Sequence, residues 1–316
     1  MSTTKLVHVA VAAIERDGEV LLSKRPDHVH QGGLWEFPGG KVEPEESLGQ
    51  ALVRELQEEL GIEVERHRPL IRVTHHYPDK SVLLDVHKVL VYSGEPSGCE
   101  GQSLGWVPLD KLEQYPMPAA DKPIVDALHL PDNYLITGNN PQDSQQFLQS
   151  LGHALDAGIK LVQLRAPELS EQRYRQLATE AVGLCNEYGA ELLLNAAPEL
   201  TAEVGAQGTH LNRHRLMALT ERPLPPECWV AASCHNLAEL EQAERLGLDF
   251  VVLSPVLPTV SHPDGKALGW EHFEQLCQQI SIPVYALGGV GSEHVEIAQT
   301  SGAQGVAGIR AFWSEH

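Results

Sequence analysis

Hydrophobic and polar residues follow different patterns in the two halves of the chain. In the first half, Leu6–Ile14 alternates as a strand, an Asp-Gly pair at 17–18 predicts a hairpin turn, and Val20–Ser23 pairs back. Further strands are predicted over Pro69–His76 and Ser81–Tyr92, after an intervening amphipathic helix. This order predicts a mixed sheet.

From Tyr134 onward, short continuous apolar runs alternate with amphipathic helical segments such as Ser144–Ala157 and Ser170–Tyr188. Such runs are typical of parallel strands that are buried on both faces. Eight of them predict a (β/α)8 TIM barrel, with an open doubly wound sheet as the alternative. The candidate strands are Tyr134–Thr137, Leu161–Arg165, Glu191–Asn195, Gly208–Asn212, Trp229–Cys234, Phe250–Ser254, Pro283–Leu287 and Gly305–Ile309.

The change of pattern falls where a helix through Ile124–Leu128 runs into Leu-Pro-Asp-Asn at 130–133. Proline and asparagine break helical patterns. The sequence therefore predicts two α/β domains, 1–130 and 131–316, joined by a short connection, which also suits a length of 316 residues.

Composition narrows the classes of function. A formal net charge of -20 argues against binding to a nucleic acid polymer, because phosphate contacts require clustered Lys and Arg. The five cysteines lack a zinc-site spacing, which favours free thiols in a reducing compartment. No uncharged run reaches membrane-spanning length, and the N-terminus reads as a strand rather than a signal peptide. We expect a cytoplasmic protein with no membrane partner.

The most informative run lies between Gly40 and Ile62, where Glu55, Glu58 and Glu59 fall at i, i+3 and i+4 of the predicted helix. Carboxylates at this spacing share one helix face and repel each other by a few tenths of a kcal/mol per pair. Such a cluster suits Mg²⁺, which prefers carboxylates, water and phosphates as ligands. The alternative is an acidic helix face that is simply solvated.

The run Gly40–Ile62 also resembles the Nudix box of pyrophosphohydrolases at each defining position, and residues 5–128 resemble the MutT branch of that family. The resemblance implies an α/β/α sandwich that binds Mg²⁺, with Mn²⁺ as an alternative. It implies that Arg54 orients Glu55 and that Glu46 is structural. The metal ligands it implies are the Gly39 carbonyl and the carboxylates of Glu55, Glu58, Glu59 and Glu100.

MutT-type enzymes hydrolyse 8-oxo-dGTP to the monophosphate and pyrophosphate, which removes a mutagenic precursor of DNA synthesis. The resemblance implies that water attacks the β-phosphorus of this nucleoside triphosphate and that Glu55 or Glu100 accepts the proton. An alternative substrate is another diphosphate, such as a thiamine-type pyrophosphate. The substrate contacts that the resemblance implies are Arg25, His30, Glu36, Phe37, Pro38 and Asp121.

Asp121 departs from the family pattern, because MutT relatives use an Asn there to read the purine edge. An Asn donates and accepts hydrogen bonds, whereas an ionised Asp only accepts. Asp121 would accept from N7–H of 8-oxoguanine, but it would donate to O6 only when protonated. The alternative is a solvated residue at a helix start.

The second half resembles the thiamine phosphate synthase and TenI-like superfamily through the motifs YLIT, VQLR, HLN, SCH, LSPVLPT, ALGW and PVYALGGV. In such barrels the chemistry lies at the carboxyl ends of the strands. The resemblance implies a bound thiazole or thiamine phosphate, and it implies that His235 transfers a proton; a structural histidine is the alternative. The phosphate contacts are predicted to be Arg165, Thr259, Ser261, Gly288, Gly289 and Gly308.

The positions at which active synthases carry Lys and Asp differ in this chain. Without the two aspartates, the predicted Mg²⁺ ligands for a pyrophosphate leaving group are missing. We therefore expect a barrel of reduced or altered activity, or a ligand-binding module that regulates the first domain. The positions now hold Ala166-Pro167, Ala196, Asn212-Arg213-His214 and His262.

Overall fold

The computed structural model describes residues 6–28, 31–78, 80–138, 141–259 and 266–313. The chain divides into two compact units, Met1–His129 and Leu130–His316. Across the described ranges, no helix is both long enough and apolar enough to cross a membrane.

In the described part of the first unit, seven strands form one mixed sheet with the order β3-β2-β1-β6-β5. Strand β4 pairs with β1, and β7 pairs with β2. Only β1 and β6 run parallel; the other pairs are antiparallel. The elements are β1 Leu6–Arg16, β2 Glu19–Lys24, β3 Trp35–Glu36, β4 Gly39–Lys41, α1 Leu48–Leu60, β5 Glu63–His76, β6 Ser81–Ser93, β7 Leu104–Pro108, two 3-10 turns at Leu109–Gln114 and Ala119–Asp121, and α2 Lys122–His129.

The predicted hairpin and mixed sheet are present, but β5 begins earlier than the sequence predicted. Arg16 pairs with Glu19 across a two-residue turn whose residues both have positive φ. Strand β5 starts at Glu63 rather than Pro69, and its register with β6 shifts at several points. The charged residues before Pro69 interrupt the apolar pattern, so the sequence did not predict this part of the strand. Proline is tolerated within β5 because this strand lies at the edge of the sheet.

The first unit has two hydrophobic clusters. One cluster packs α1 against the sheet, with Leu52, Leu56 and Leu60 next to Ile14 and Val89. The other cluster packs α2 against the opposite face of the sheet and contains Phe37, Ile124 and Leu128. The sheet therefore lies between helices.

Within the described residues of the second unit, eight parallel strands close into a barrel, which confirms the predicted TIM barrel and excludes the open sheet. Helices fill the connections, and the Pro-rich connection after the fourth barrel strand contains only a short helix, as the sequence suggested. The elements are β8 Asn133–Ile136, α3 Ser144–Asp156, β9 Leu161–Leu164, α4 Glu171–Glu187, β10 Glu191–Leu194, α5 Glu199–Val204, β11 Gly208–Leu211, α6 Arg213–Ala218, β12 Trp229–Cys234, α7 Leu237–Arg245, β13 Phe250–Leu253, α8 Gly269–Cys277, β14 Val284–Ala286, a 3-10 turn at Ser292–His294, α9 Val295–Thr300 and β15 Gly305–Gly308.

The barrel interior combines aromatic packing with a buried polar network. The rings of Tyr134, Phe250 and Tyr285 pack together, with centroids 5.3 to 5.6 Å apart. His210 is 0% exposed, and the hydroxyls of Tyr134 and Ser233 hydrogen-bond to its two ring nitrogens at 3.1 and 2.8 Å. Burial lowers the pKa of His210 to about 3, so its imidazole is neutral.

Candidate active site

Helix α1 presents its acidic residues on the face opposite its buried stripe. Ser47 caps the helix in a reciprocal capping box with Gln50, and Gly61 ends it in a left-handed conformation. The core side of α1 is apolar, which leaves the glutamates of the 55–59 segment on the other side. Both helix ends are thus specified locally.

Arg54 connects three glutamates, which are Glu46, Glu55 and Glu58. Its guanidinium donates two hydrogen bonds to Glu46, both at 2.9 Å, and one nitrogen donates to Glu55 at 2.8 Å and Glu58 at 3.2 Å. The same side chain donates to the carbonyl of Lys41 at 3.0 Å. Hydrogen bonding to Glu46 raises the pKa of Arg54, and the Arg54 hydrogen bond lowers the pKa of Glu46. Arg54 therefore orients Glu55 and Glu58, while Glu46 positions Arg54.

Glu59 is held separately and is surrounded by other acids. One carboxylate oxygen accepts a hydrogen bond from the backbone amide of Gly39 at 3.1 Å. Burial, together with the charges of Glu100, Glu36 and Glu55, raises the pKa of Glu59 to about 7, although the hydrogen bond from Gly39 lowers it. Glu36, Glu55 and Glu100 therefore lie near Glu59, although the four acids come from three parts of the chain.

Magnesium fits the chemistry of this donor set. In the described part of the chain, no three Asp, Glu, His or Cys side chains already stand in a ligating arrangement. Glu55 and Glu58 face Arg54, and Glu59 faces the Gly39 amide, so the carboxylates would have to turn to ligate an ion. A cation would relieve the repulsion that raises the pKa of Glu59.

A second acidic group adjoins this cluster through Glu36. Asp121 is 4% exposed, and burial raises its pKa to about 8, with a further contribution from the charge of Glu36. Glu36 forms a salt bridge with Arg25, yet burial still raises the pKa of Glu36. Glu36 therefore lies close to both Glu59 and Asp121. It connects the acidic group around Glu59 to Asp121, the residue predicted to read the base.

The carboxyl ends of the barrel strands hold the predicted phosphate contacts. Arg165 directly follows β9 and is exposed, Gly308 ends β15, and Thr259 lies in the loop after β13. Gly288 and Gly289, after β14, have φ values of +92° and +70°. A Cβ on Gly288 would lie 2.9 Å from Pro255, and one on Gly289 2.7 Å from the carbonyl of Pro258. The two glycines are thus also required for close packing of the neighbouring loop.

His235 is exposed directly after β12. Its Nδ1 donates to the carbonyl oxygen of Ser254 at 2.9 Å, which leaves the lone pair on Nε2. Its backbone amide donates to the buried carboxylate of Glu239 at 2.8 Å. This tautomer could accept a proton at the barrel mouth.

Comparison with known proteins assigns a family to each half of the chain. A sequence profile described as "NUDIX domain" matches residues 9–127. A CTP pyrophosphohydrolase of Escherichia coli (strain K12) is 43% identical over 123 residues, which cover 39% of this chain and 91% of the relative. The solution structure of the E. coli ORF135 protein is 41% identical, with a TM-score of 0.37, and the match covers 40% of this chain and 91% of that one.

For the second half, a profile described as "Thiamine monophosphate synthase" matches residues 133–312. A putative thiamine-phosphate synthase 2 of Aquifex aeolicus (strain VF5) is 34% identical over 185 residues, 58% of this chain and 99% of the relative. The chain is a fusion of a NUDIX hydrolase domain with a member of the thiamine monophosphate synthase family.

Some predicted contacts of the NUDIX domain lie in its core. Phe37 is 4% exposed and belongs to the α2 cluster, and its contact with a nucleotide stays a prediction. Pro38 is buried as well, and its carbonyl accepts a hydrogen bond from Ala12 at 2.8 Å. His30, and Ser261 in the barrel, lie outside the described residues.

Two further side chains, which the sequence did not identify, lie beside Asp121 and Glu36 in the NUDIX domain. Tyr77 lies near Asp121. Burial and the charge of Asp121 both raise the pKa of Tyr77, whereas a hydrogen bond with Gln31 lowers that pKa. Lys80 lies near Glu36, and the positive charge of Lys80 lowers the pKa of Glu36. These residues sit in turns without a motif, and only their position next to Asp121 and Glu36 identifies them.

In the synthase-family barrel, Asn212 and Ala166 stand at positions where active synthases carry Asp and Lys, and both have structural roles. Asn212 is the N-cap of α6, and its side chain accepts from the backbone amide of Arg215 at 3.0 Å. Ala166 is 3% exposed and belongs to a hydrophobic cluster. The amide of Asn195, next to Ala196, donates to Gln163 at 3.0 Å.

Proposed function

We propose that the NUDIX domain is a Mg²⁺-dependent pyrophosphohydrolase of nucleoside triphosphates and that its preferred substrate is 8-oxo-dGTP. The observations that carry the proposal are the nearness of Glu36, Glu55 and Glu100 to Glu59 and the hydrogen bonds from Arg54 to Glu55 and Glu58. A purely structural helix gains nothing from such repulsion.

The proposed reaction is hydrolysis of a phosphoanhydride. The oxygen of water forms a bond to the β-phosphorus, and the bond from that phosphorus to the α–β bridging oxygen breaks, giving a nucleoside monophosphate and pyrophosphate. Bound Mg²⁺ would neutralise phosphate charge and lower the pKa of a water ligand. The same carboxylates would hold it, and Glu55 or Glu100 accepts the proton of the attacking water.

Asp121 supports the choice of base. Because its pKa is about 8, the carboxyl group is mostly protonated at neutral pH. A protonated carboxyl donates one hydrogen bond and accepts another, as an Asn amide does. Its hydroxyl can donate to O6 of 8-oxoguanine while its carbonyl accepts from N7–H. Guanine lacks that N7 proton, so it pairs less well at this edge.

A panel of nucleotides tests the proposal. The full chain with Mg²⁺ should release pyrophosphate from 8-oxo-dGTP with a higher kcat/KM than from dGTP, dCTP or CTP. Glu58→Gln and Glu59→Gln should abolish this release. A chain that hydrolyses none of the nucleotides, with Mg²⁺ or Mn²⁺, would disprove the enzymatic proposal.

CTP is the second candidate substrate, because a relative named for that activity is 43% identical to this domain. A protonated Asp121 is also complementary to cytosine, since its hydroxyl can donate to N3 and its carbonyl can accept from the N4 amino group. A higher kcat/KM for CTP or dCTP in the same panel would replace the 8-oxo-dGTP assignment.

For the barrel we propose binding of a phosphate-bearing thiazole or thiamine ligand without synthase chemistry. Its support is the retained mouth residues Arg165 and His235 beside positions where Asn212 caps a helix and Ala166 is buried. Calorimetric titration of the full chain with thiazole phosphate and thiamine phosphate tests this. Absence of binding heat for both would leave the barrel a structural role.

A further inference from the structure

The loop that carries Glu100 is attached to the end of the helix that carries the other three acids. A helix leaves its last carbonyls without intrahelical partners. Here the amide of Ser97 donates to the carbonyl of Leu60 at 3.0 Å, and the amide of Cys99 donates to the carbonyl of Glu59 at 2.9 Å. The loop therefore caps α1 through backbone hydrogen bonds.

One side chain joins this attachment directly to Glu100. Gln102 donates from Nε2 to the carbonyl of Glu59 at 2.9 Å, and its Oε1 accepts from the amide of Glu100 at 3.0 Å. Gln102 thus contacts the backbones of two acids that are far apart in sequence. The loop is tightly packed here, because a Cβ atom on Gly98 would lie 2.1 Å from the backbone carbonyl oxygen of Gln102.

We propose that Gln102 is a positioning residue for the metal site: its side-chain amide fixes the backbone of Glu100 against the carboxyl end of α1, so that Glu100 and Glu59 can ligate one cation. This inference rests on the proposed function of the NUDIX domain. Gln102 itself contacts neither the cation nor the nucleotide.

The position requires an amide, because the two contacts need one donor and one acceptor on the same side chain. A glutamate at 102 could still accept from Glu100, but it would place a second acceptor against the Glu59 carbonyl, at the negative end of the helix dipole. A methionine of similar length would make neither contact. Residues that orient metal ligands typically change metal affinity or activity by about 10- to 100-fold when they are replaced.

Binding of Mn²⁺ to the full chain, followed by the electron paramagnetic resonance signal of free Mn²⁺ without nucleotide, tests the proposal. Gln102→Met and Gln102→Glu should each weaken Mn²⁺ binding by about 10-fold or more. The matched variants Gln57→Met and Gln57→Glu, at an exposed position of the same helix, should not. Circular dichroism and thermal unfolding should show that all four variants remain folded.

A double-mutant cycle separates positioning from a general structural role. Glu100→Gln removes the ligand that Gln102 is proposed to place, so adding Gln102→Met to it should cause no further loss of Mn²⁺ affinity. Additive losses, or unchanged affinity in folded Gln102→Met, would overturn the proposal. A chain that binds Mn²⁺ but hydrolyses no nucleotide would end the proposed function and still allow this measurement to decide on Gln102.

Discussion

The carboxyl group of Glu55 lies directly over Gly40. A Cβ atom on Gly40 would lie only 2.1 Å from the carboxyl carbon of Glu55, a distance that no real side chain tolerates. The same carboxylate accepts a hydrogen bond from Arg54 at 2.8 Å. Gly40, the first residue of the acidic run, must therefore be a glycine, because Glu55 occupies the space that a side chain at this position would need.

Gly40→Ala should therefore inactivate the NUDIX domain without unfolding it. The added methyl group displaces the end of a flexible side chain rather than backbone, so we expect the free energy of unfolding to change by less than about 1 kcal/mol. Because Glu55 leaves its position, kcat should fall by about 10- to 100-fold. Pyrophosphate release and thermal unfolding measure the two effects. Gly152→Ala, where a Cβ has no neighbour within 4 Å, is the control: it should leave pyrophosphate release unchanged and, because Gly152 lies inside α3, raise stability by roughly 0.5 to 1 kcal/mol.

Arg54→Lys should lower activity although it keeps the positive charge. A lysine ammonium lacks the planar fork that bonds Glu46 twice while also reaching Glu55 and Glu58. We expect kcat for pyrophosphate release to fall by about 10- to 100-fold with a smaller change in KM. Arg66→Lys, at an exposed position of the same domain, should behave as wild type. Wild-type kcat in Arg54→Lys would contradict the orienting role.

Asp121 should give the NUDIX domain a pH-dependent preference for its base. As pH rises through about 8, the carboxyl group ionises and loses the proton that it donates to O6. The kcat/KM for 8-oxo-dGTP should therefore fall above pH 8 in the wild type. Asp121→Asn keeps donor and acceptor at every pH and should remove that part of the decline. Identical pH profiles for the two proteins would refute the role.

The same carboxyl group should affect stability. Its folded pKa, about 8, lies above the ordinary value of 3.8, so between these pH values the folded state holds more protons than the unfolded state. Stability therefore decreases as pH rises from about 4 to 8 and then levels off. Asp121→Asn should be more stable than wild type at pH 8 by roughly 2 to 5 kcal/mol and equally stable near pH 4. Calorimetry at several pH values measures this difference.

The sequence predicted those features that depend on neighbours along the chain. The apolar stripe of α1 and its acidic face both lie within one helix, and each is visible as local spacing. The barrel was predictable for a similar reason, since strands buried on both faces form continuous apolar runs. Strand β12 ends at Cys234 as predicted, directly before His235, and β9 ends at Leu164, one residue earlier than predicted, so that Arg165 follows it.

Features that depend on tertiary neighbours were not predictable. The raised pKa of Asp121 follows from burial and from the charge of Glu36, which is distant in sequence. The contact between Gln102 and Glu59 crosses from a loop to a helix end. The burial of Phe37 in the α2 cluster also depends on neighbours that are distant in sequence, and its predicted contact with a substrate stays a prediction. A motif identifies the chemistry of a residue, whereas packing decides where its side chain points.

His210 should make the barrel sensitive to acid. Its folded pKa of about 3 lies below the ordinary value of 6.5, so between these values the unfolded state binds a proton that the folded state excludes. The barrel should therefore keep its full stability above about pH 6.5 and lose stability as pH falls toward 3. Protonation would also disturb the hydrogen bonds with Tyr134 and Ser233, because a doubly protonated imidazole no longer accepts.

Two variants at this position test the prediction. His210→Gln keeps one donor and one acceptor but does not titrate, so its stability relative to wild type should improve steadily as pH falls from 6.5 to 4. His210→Phe leaves the buried hydroxyl of Tyr134 and the half-buried hydroxyl of Ser233 without this partner, and it should destabilise the barrel at neutral pH by about 1 to 3 kcal/mol for the buried group. Calorimetric unfolding of the full chain at pH 4, 5, 6 and 7 measures both effects. A constant difference between wild type and His210→Gln across this range would show that His210 does not titrate on unfolding.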